Sequence, residues 1–180
     1  MSSFNLCLLL EMVDKKSSLF SDLLLALQKL VAAPGTIAAS FVKHLADNVF
    51  LAIFDLEIEQ IVLGEEEKVK LGPLIHQSFP HLENCIYFEY MNFPTSSFVS
   101  ACYIRSGLQF LLDNYSNYFP KQELEMVRER ILIFRESLDL DDLDDSLREY
   151  THREFEPFID VSKTTTKLED MGLIDQHFWW

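Results

Sequence analysis

What this chain lacks narrows its function before any motif is sought. Cysteine is scarce: Cys7, Cys85 and Cys102 lie far apart, form no CxxC pair and each sit inside an apolar run. That is the pattern of reduced, buried thiols, not of a disulfide framework. The five glycines, Gly35, Gly64, Gly72, Gly107 and Gly172, are too scattered to cradle a phosphate. There is no GxSxG turn, and no cysteine has a papain-like or caspase-like context, so nucleophilic catalysis has no handle in the sequence. No apolar stretch approaches the roughly 18 residues a transmembrane helix needs. The opening MSSFNLCLLLEMV has no basic stretch before its short apolar run, which Glu11 interrupts. These absences lead us to expect a cytoplasmic protein that is not an enzyme, carries no cofactor or metal and does not engage a membrane.

Positive charge is also in short supply. Fifteen basic side chains stand against 29 acidic ones, for a formal net charge of −14. Nucleic acids are held by Lys and Arg through counterion release, so direct binding to DNA or RNA is not expected. A cationic protein is the partner this sign favours.

What is present is material for a core. Hydrophobic residues make up 48% of the 180, and fifteen are Phe, enough to fill the space between helices of one domain. Periodicity points to a mainly α fold, a single multi-helix bundle around a central helix at about 95–119, where Phe98, Cys102, Leu108, Leu112, Tyr115 and Phe119 recur at helical spacing. Thr95 would cap its start and Pro120 would stop its end. Leu19, Leu23, Leu27 and Leu30 predict a helix ended by Pro34-Gly35; Thr36 then caps a segment towards Asn48, and an apolar stretch follows to Leu63. Gly64, the run EEEKVK and Gly72-Pro73 read as a solvated turn before a short helix around 74–79. Lys121 to Glu136 predicts a helix with Leu124, Val127, Ile131 and Phe134 inward.

Three segments leave an alternative open. Residues 4–13 and 49–58 alternate enough to suit a strand, and 85–93, CIYFEYMNF, is the best strand candidate in the chain. Were they to pair, the fold would be α+β. We expect a helical domain over 1–160 and a C-terminal extension over 161–180, ending in Phe178-Trp179-Trp180, that packs on it.

One feature is sharp. Between Glu136 and Glu156 nine acidic side chains face two arginines, leaving −7, half of the chain's formal charge. Leu140, Leu143, Leu147 and Tyr150 give this segment an inward helical stripe. Packing Asp139, Asp141, Asp142, Asp144 and Asp145 into seven residues costs self-repulsion with no evident structural return. A solvated face with acids placed for the helix dipole is the plain reading. The functional reading is a partner-binding surface formed by those five with Glu149, Glu154 and Glu156, steering a basic protein onto the helix. Its most concrete form is an immunity or antitoxin protein that occludes the basic cleft of a nuclease toxin, the carboxylates standing in for phosphates. The alternative is a helical adaptor that binds through an apolar groove, with Phe178, Trp179 and Trp180 as anchors.

Metal readings are weaker. An EF-hand loop would need alternating acids and a Gly, but Leu143 sits at a ligand position. Glu149 and His152 make one ExxH spacing where a di-iron bundle needs two. His76, His81 and Cys85 are interrupted by Pro80 and lack a fourth ligand.

Overall fold

The computed structural model describes residues 3–92, 98–138 and 140–150, with side chains over 10–86, 101–102, 104–138 and 140–149. Among the described residues the fold is all-α: six helices pack as a bundle, and no strand occurs. They are α1 (Ser3–Val31), α2 (Ala39–Ile58), α3 (Glu65–Asn92), α4 (Phe98–Asp113), α5 (Leu124–Ser137) and α6 (Leu140–Tyr150). Two short 3-10 turns, Tyr115–Asn117 and Lys121–Glu123, lie between α4 and α5. The α+β alternative is therefore overturned: 4–13 is the first part of α1, 49–58 the second half of α2 and 85–92 the end of α3. In each, an uninterrupted helix extends from a neighbouring segment with clear 3.6-residue periodicity, and cooperative propagation carries the ambiguous residues with it.

Helix α2 is wrapped on most of its circumference. Leu45, Ala46, Val49, Phe50, Ala52, Ile53 and Leu56 are buried, and it packs against α1, α3 and α4. The expected break near Asn48 does not occur, and Thr36 is not the cap. Residues 34–37 close their own turn, with Ile37 N–H donating to the Pro34 carbonyl (3.1 Å), and the helix starts at Ala39. The described side chains of α4 are nearly all buried, as a central helix should have, but the helix ends at Asp113. Beyond it, Tyr118 and Phe119 enter the core from the 3-10 turn and not from a continuing helix. Gly107 explains how α2 and α4 meet. A Cβ there would fall inside contact distance of the Phe50 carbonyl oxygen, so the missing side chain sets the helix separation.

The largest departure from the sequence reading is α3, which runs straight through Gly72-Pro73 and Pro80. Three glutamates at its start complement the helix dipole, and Glu67 accepts from the Gly64 N–H (2.6 Å) in half of a capping box. Each proline removes a donor and leaves the carbonyl four residues earlier unbonded within the helix. For Pro80 that carbonyl belongs to His76, and Arg130 of α5 donates to it at 2.9 Å. Gly72 is buried beneath Pro120, 3.2 Å from where a Cβ would sit, so it admits the 119–120 turn instead of bending the chain.

Helices α5 and α6 form an outer layer. Val127, Ile131 and Phe134 face inward on α5, and Leu143 and Leu147 on α6, as the stripes predicted. Residues 151–180, with the proposed extension and its terminal aromatics, lie outside the described residues.

Candidate functional site

The acidic segment divides by geometry into inward and outward carboxylates. Position 144 falls on the Leu140, Leu143, Leu147 stripe, so Asp144 turns into the protein, where only 3% of its surface is exposed. There it meets Arg105 of α4 in a bidentate pair: Nε donates to Oδ1 at 2.6 Å and Nη2 to Oδ2 at 3.0 Å. Burial raises the Asp144 pKa above the usual aspartate value, although Arg105 pulls it down. Asp144 is a structural pin between α6 and α4, so the surface set loses one member.

The pin continues as a chain of polar contacts. Arg105 Nη1 donates to Gln109 Oε1 (2.8 Å), Gln109 Nε2 to Asp113 Oδ2 (2.6 Å), and Arg135 Nη2 to Asp113 Oδ1 (2.6 Å). The result joins α6, α4 and α5, with the α6 end dry and the α5 end wet.

Asp141, Asp142, Asp145 and Glu149 are exposed on the outer face of α6. Asp145 accepts from Arg148 at 2.7 Å, an exposed contact of the kind that contributes little and exchanges easily with another cation. Asp139, Glu154 and Glu156 lie outside the described residues. The helix therefore offers a carboxylate face on a rigid mount, with one carboxylate taken inside to fix its orientation.

His76 and Cys85, considered above as metal ligands, have other roles. Among the described residues no group of three or more His, Cys, Asp or Glu side chains is placed to hold a metal ion. Arg130 Nη1 approaches His76 Nδ1 at 3.1 Å, and because a guanidinium only donates, the imidazole accepts there and carries its proton on Nε2, 3.6 Å from Glu123. Burial, then the Arg130 charge, lowers the His76 pKa. The Cys85 thiol lies buried against Asp47, which Lys43 pairs at 2.6 Å. No helix among the described residues is long and apolar enough to cross a membrane.

A second place escaped the sequence reading. Helix α2 ends with Ile61 N–H donating to the Leu56 carbonyl (2.9 Å) and Gln60 N–H to that of Glu57 (3.0 Å), a Schellman arrangement. The residue that must turn left-handed there is normally Gly; here it is Gln60, with φ 54°. Beside it Glu57, half-buried, accepts from Tyr118 Oη–H and from Asn114 Nδ2 (3.1 Å). Asn117 clamps the backbone after the turn, accepting from Leu63 N–H (3.0 Å) and donating to the Ile61 carbonyl (3.1 Å). Glu57, Gln60, Asn114 and Asn117 line a groove of about 480 Å³ whose lining also includes Lys68 of α3. Burial raises the Glu57 pKa, and burial beside Glu57 raises that of Tyr118 well above the phenol range. The visible signals were a Gln where a helix-ending Gly belongs and two asparagines in DNYSNYF, neither read as such.

Comparison with family models finds no match, and comparisons with curated proteins and with solved structures find none either.

Proposed function

We propose that this protein acts by binding rather than by catalysis, presenting the outer face of α6 to a basic protein. Its most concrete form is an immunity or antitoxin protein of the cytoplasm that covers the cationic cleft of a nuclease toxin. One observation carries the reading: the exposed carboxylates of Asp141, Asp142, Asp145 and Glu149 share a helix whose orientation is fixed by the buried Arg105–Asp144 pair. A face that served solubility alone would need no such mount. Displayed rigidly, the carboxylates can pair with Lys and Arg side chains that otherwise hold phosphates. The thiols of Cys85 and Cys102, both buried and in no disulfide, suit a reducing compartment.

Charge-led association is fast and weakens with salt, because exposed charges are screened over about 8–10 Å at physiological ionic strength. The test is co-expression with the product of the adjacent reading frame, followed by binding and nuclease assays. The Asp141→Lys, Asp142→Lys, Asp145→Lys triple variant, with Asp144 left in place, should lose protection and associate at least about tenfold more slowly at low salt. Undiminished capture, with the same salt dependence as the unaltered chain, would reduce α6 to a solvated face.

A further inference from the structure

The Glu57 groove is not part of the acidic face, and its construction has no account in packing alone. Part of its lining is held by hydrogen bonds from the Tyr118, Asn114 and Asn117 side chains. Glu57 is oriented by Tyr118 and Asn114, so its remaining lone pairs project in a set direction. The stretch from Ile61 to Leu63 is held by both ends of the Asn117 amide and cannot drift as a free loop would. Lys68 comes from α3, its side chain only 14% exposed, with a single long contact of 3.4 Å to the exposed Glu65. Gln60 occupies the left-handed position at the rim. For a residue with a Cβ that conformation is strained, and strain of this kind collects at ligand clamps and switch regions.

The groove thus has an anionic group and a cationic group in one lining. Its volume of about 480 Å³ lies within the roughly 300–1,000 Å³ range of small-molecule sites. Ile61 and Val62 supply apolar wall, while Gln60, Asn114 and Ser116 supply neutral donors and acceptors. The charges select the ligand. A dianion would meet Glu57, and a diamine would meet Lys68; a molecule bearing one charge of each sign satisfies both. We propose that this groove binds a small zwitterion of the amino-acid class, its ammonium on Glu57 and its carboxylate on Lys68.

The test uses the full chain, nitrogen-labelled, with the side-chain amide signals of Gln60, Asn114 and Asn117 as local reporters. Each common amino acid is titrated singly, with its N-acetyl amide, which lacks both charges, and with succinate and putrescine as single-sign controls. A saturable shift of those three amides by one or more free amino acids at about millimolar concentration, absent with the capped forms, is expected. Lys68→Met removes the long contact to Glu65 while keeping an apolar stem of similar length, and Glu57→Gln keeps an acceptor for Tyr118; each should weaken binding about tenfold. Gln60→Gly should weaken binding while raising the melting temperature, a combination that a purely structural role would not produce. Silence of the three amides up to about 10 mM of every amino acid overturns the proposal. So does an equal response to the capped forms, a stronger response to succinate or putrescine, or unchanged affinity in both charge variants.

Discussion

The two layers of this molecule are held by different physics. Helices α1 to α4 meet through Leu, Ile, Phe and Val, with Leu23, Leu27, Phe50, Ile53 and Phe110 all fully buried. Helices α5 and α6 also bury an apolar stripe, but their positions are set by arginines: Arg105 to Asp144, Arg130 to the His76 carbonyl, and Arg135 to Asp113. Apolar contact is non-directional and tolerates small shifts, whereas a bidentate guanidinium–carboxylate pair fixes one orientation. The contrast shows how a bundle can carry an outer helix that is held firmly while most of its carboxylates remain in water. It also makes the outer layer vulnerable in a way the core is not, since removing half of a buried pair leaves a charge stranded.

The strongest blow to that contrast is Asp144→Ala. Arg105 would keep its charge in a site where only 3% of its surface is exposed, and breaking a buried pair of this kind costs about 3–5 kcal/mol. Native-state hydrogen exchange should show α6 amides losing protection first, while α1 to α4 keep most of theirs. Equal loss across all six helices would mean that the layers form one cooperative unit. The double variant Arg105→Met with Asp144→Leu sharpens the point. With neither charge present, stability should return to within about 1–2 kcal/mol of the original or exceed it.

The core should fail differently. Gly107→Ala places a Cβ against the Phe50 carbonyl oxygen, backbone that cannot rotate away, so α2 and α4 must separate. Overpacking of this sort costs about 1–3 kcal/mol or more, offset by about 1 kcal/mol of helix propensity. A net loss of roughly 1–2 kcal/mol in urea denaturation is expected, spread over all the helices instead of confined to α6. An unchanged or raised midpoint would show that the crossing distance is not set by the glycine.

Much of the fold was legible because inward stripes repeat at 3.6 residues wherever a helix meets the core. The α5 and α6 stripes and the buried side chains of α4 follow from that period, and the break at Pro34-Gly35 from its turn-forming residues. What could not be read is what tertiary contacts override. Pro73 and Pro80 punctuate locally, yet Arg130, fifty residues beyond Pro80 in the chain, supplies the His76 carbonyl with a donor and Gly72 accommodates the neighbouring turn. For the acidic face, sequence placed the carboxylates on one helix. Only the stripe position of 144, read together with an arginine 39 residues earlier, separates the pin from the surface. The Glu57 groove was the least legible, since its residues come from α2, α3 and the 3-10 turn with no spacing that links them.

Acidity offers a finer comparison between the groove and the α3–α5 contact. Burial raises the Glu57 pKa, so the folded state binds that proton more tightly than the unfolded one, and this contribution is lost as pH rises through the folded value. His76 is lowered, so its contribution is present above the ordinary imidazole value and lost as pH falls through the folded one. The Glu57 window opens upward from about pH 4.5 and the His76 window downward from about pH 6.5, with opposite slopes. Moving from pH 5 to pH 7, Glu57→Gln should gain melting temperature relative to the unaltered chain, and His76→Gln should lose it. Parallel slopes for the two variants would show that one of the groups does not titrate in its folded surroundings.

The smallest expected effect separates strain from contact. Gln60 closes α2 with φ 54°, where Gly would sit without a Cβ penalty and would keep both Schellman hydrogen bonds. Gly also loses more backbone freedom on folding, which offsets part of the relief. Gln60→Gly should therefore stabilise the protein by about 0.5–1 kcal/mol, or roughly 1–4 °C for a chain of this size. The gain should persist in the Asp144→Ala background, because the two positions share no contact and independent sites add. A loss of stability would mean that the Gln60 side chain holds the turn together, and the residue would then belong to the scaffold rather than to the groove it borders.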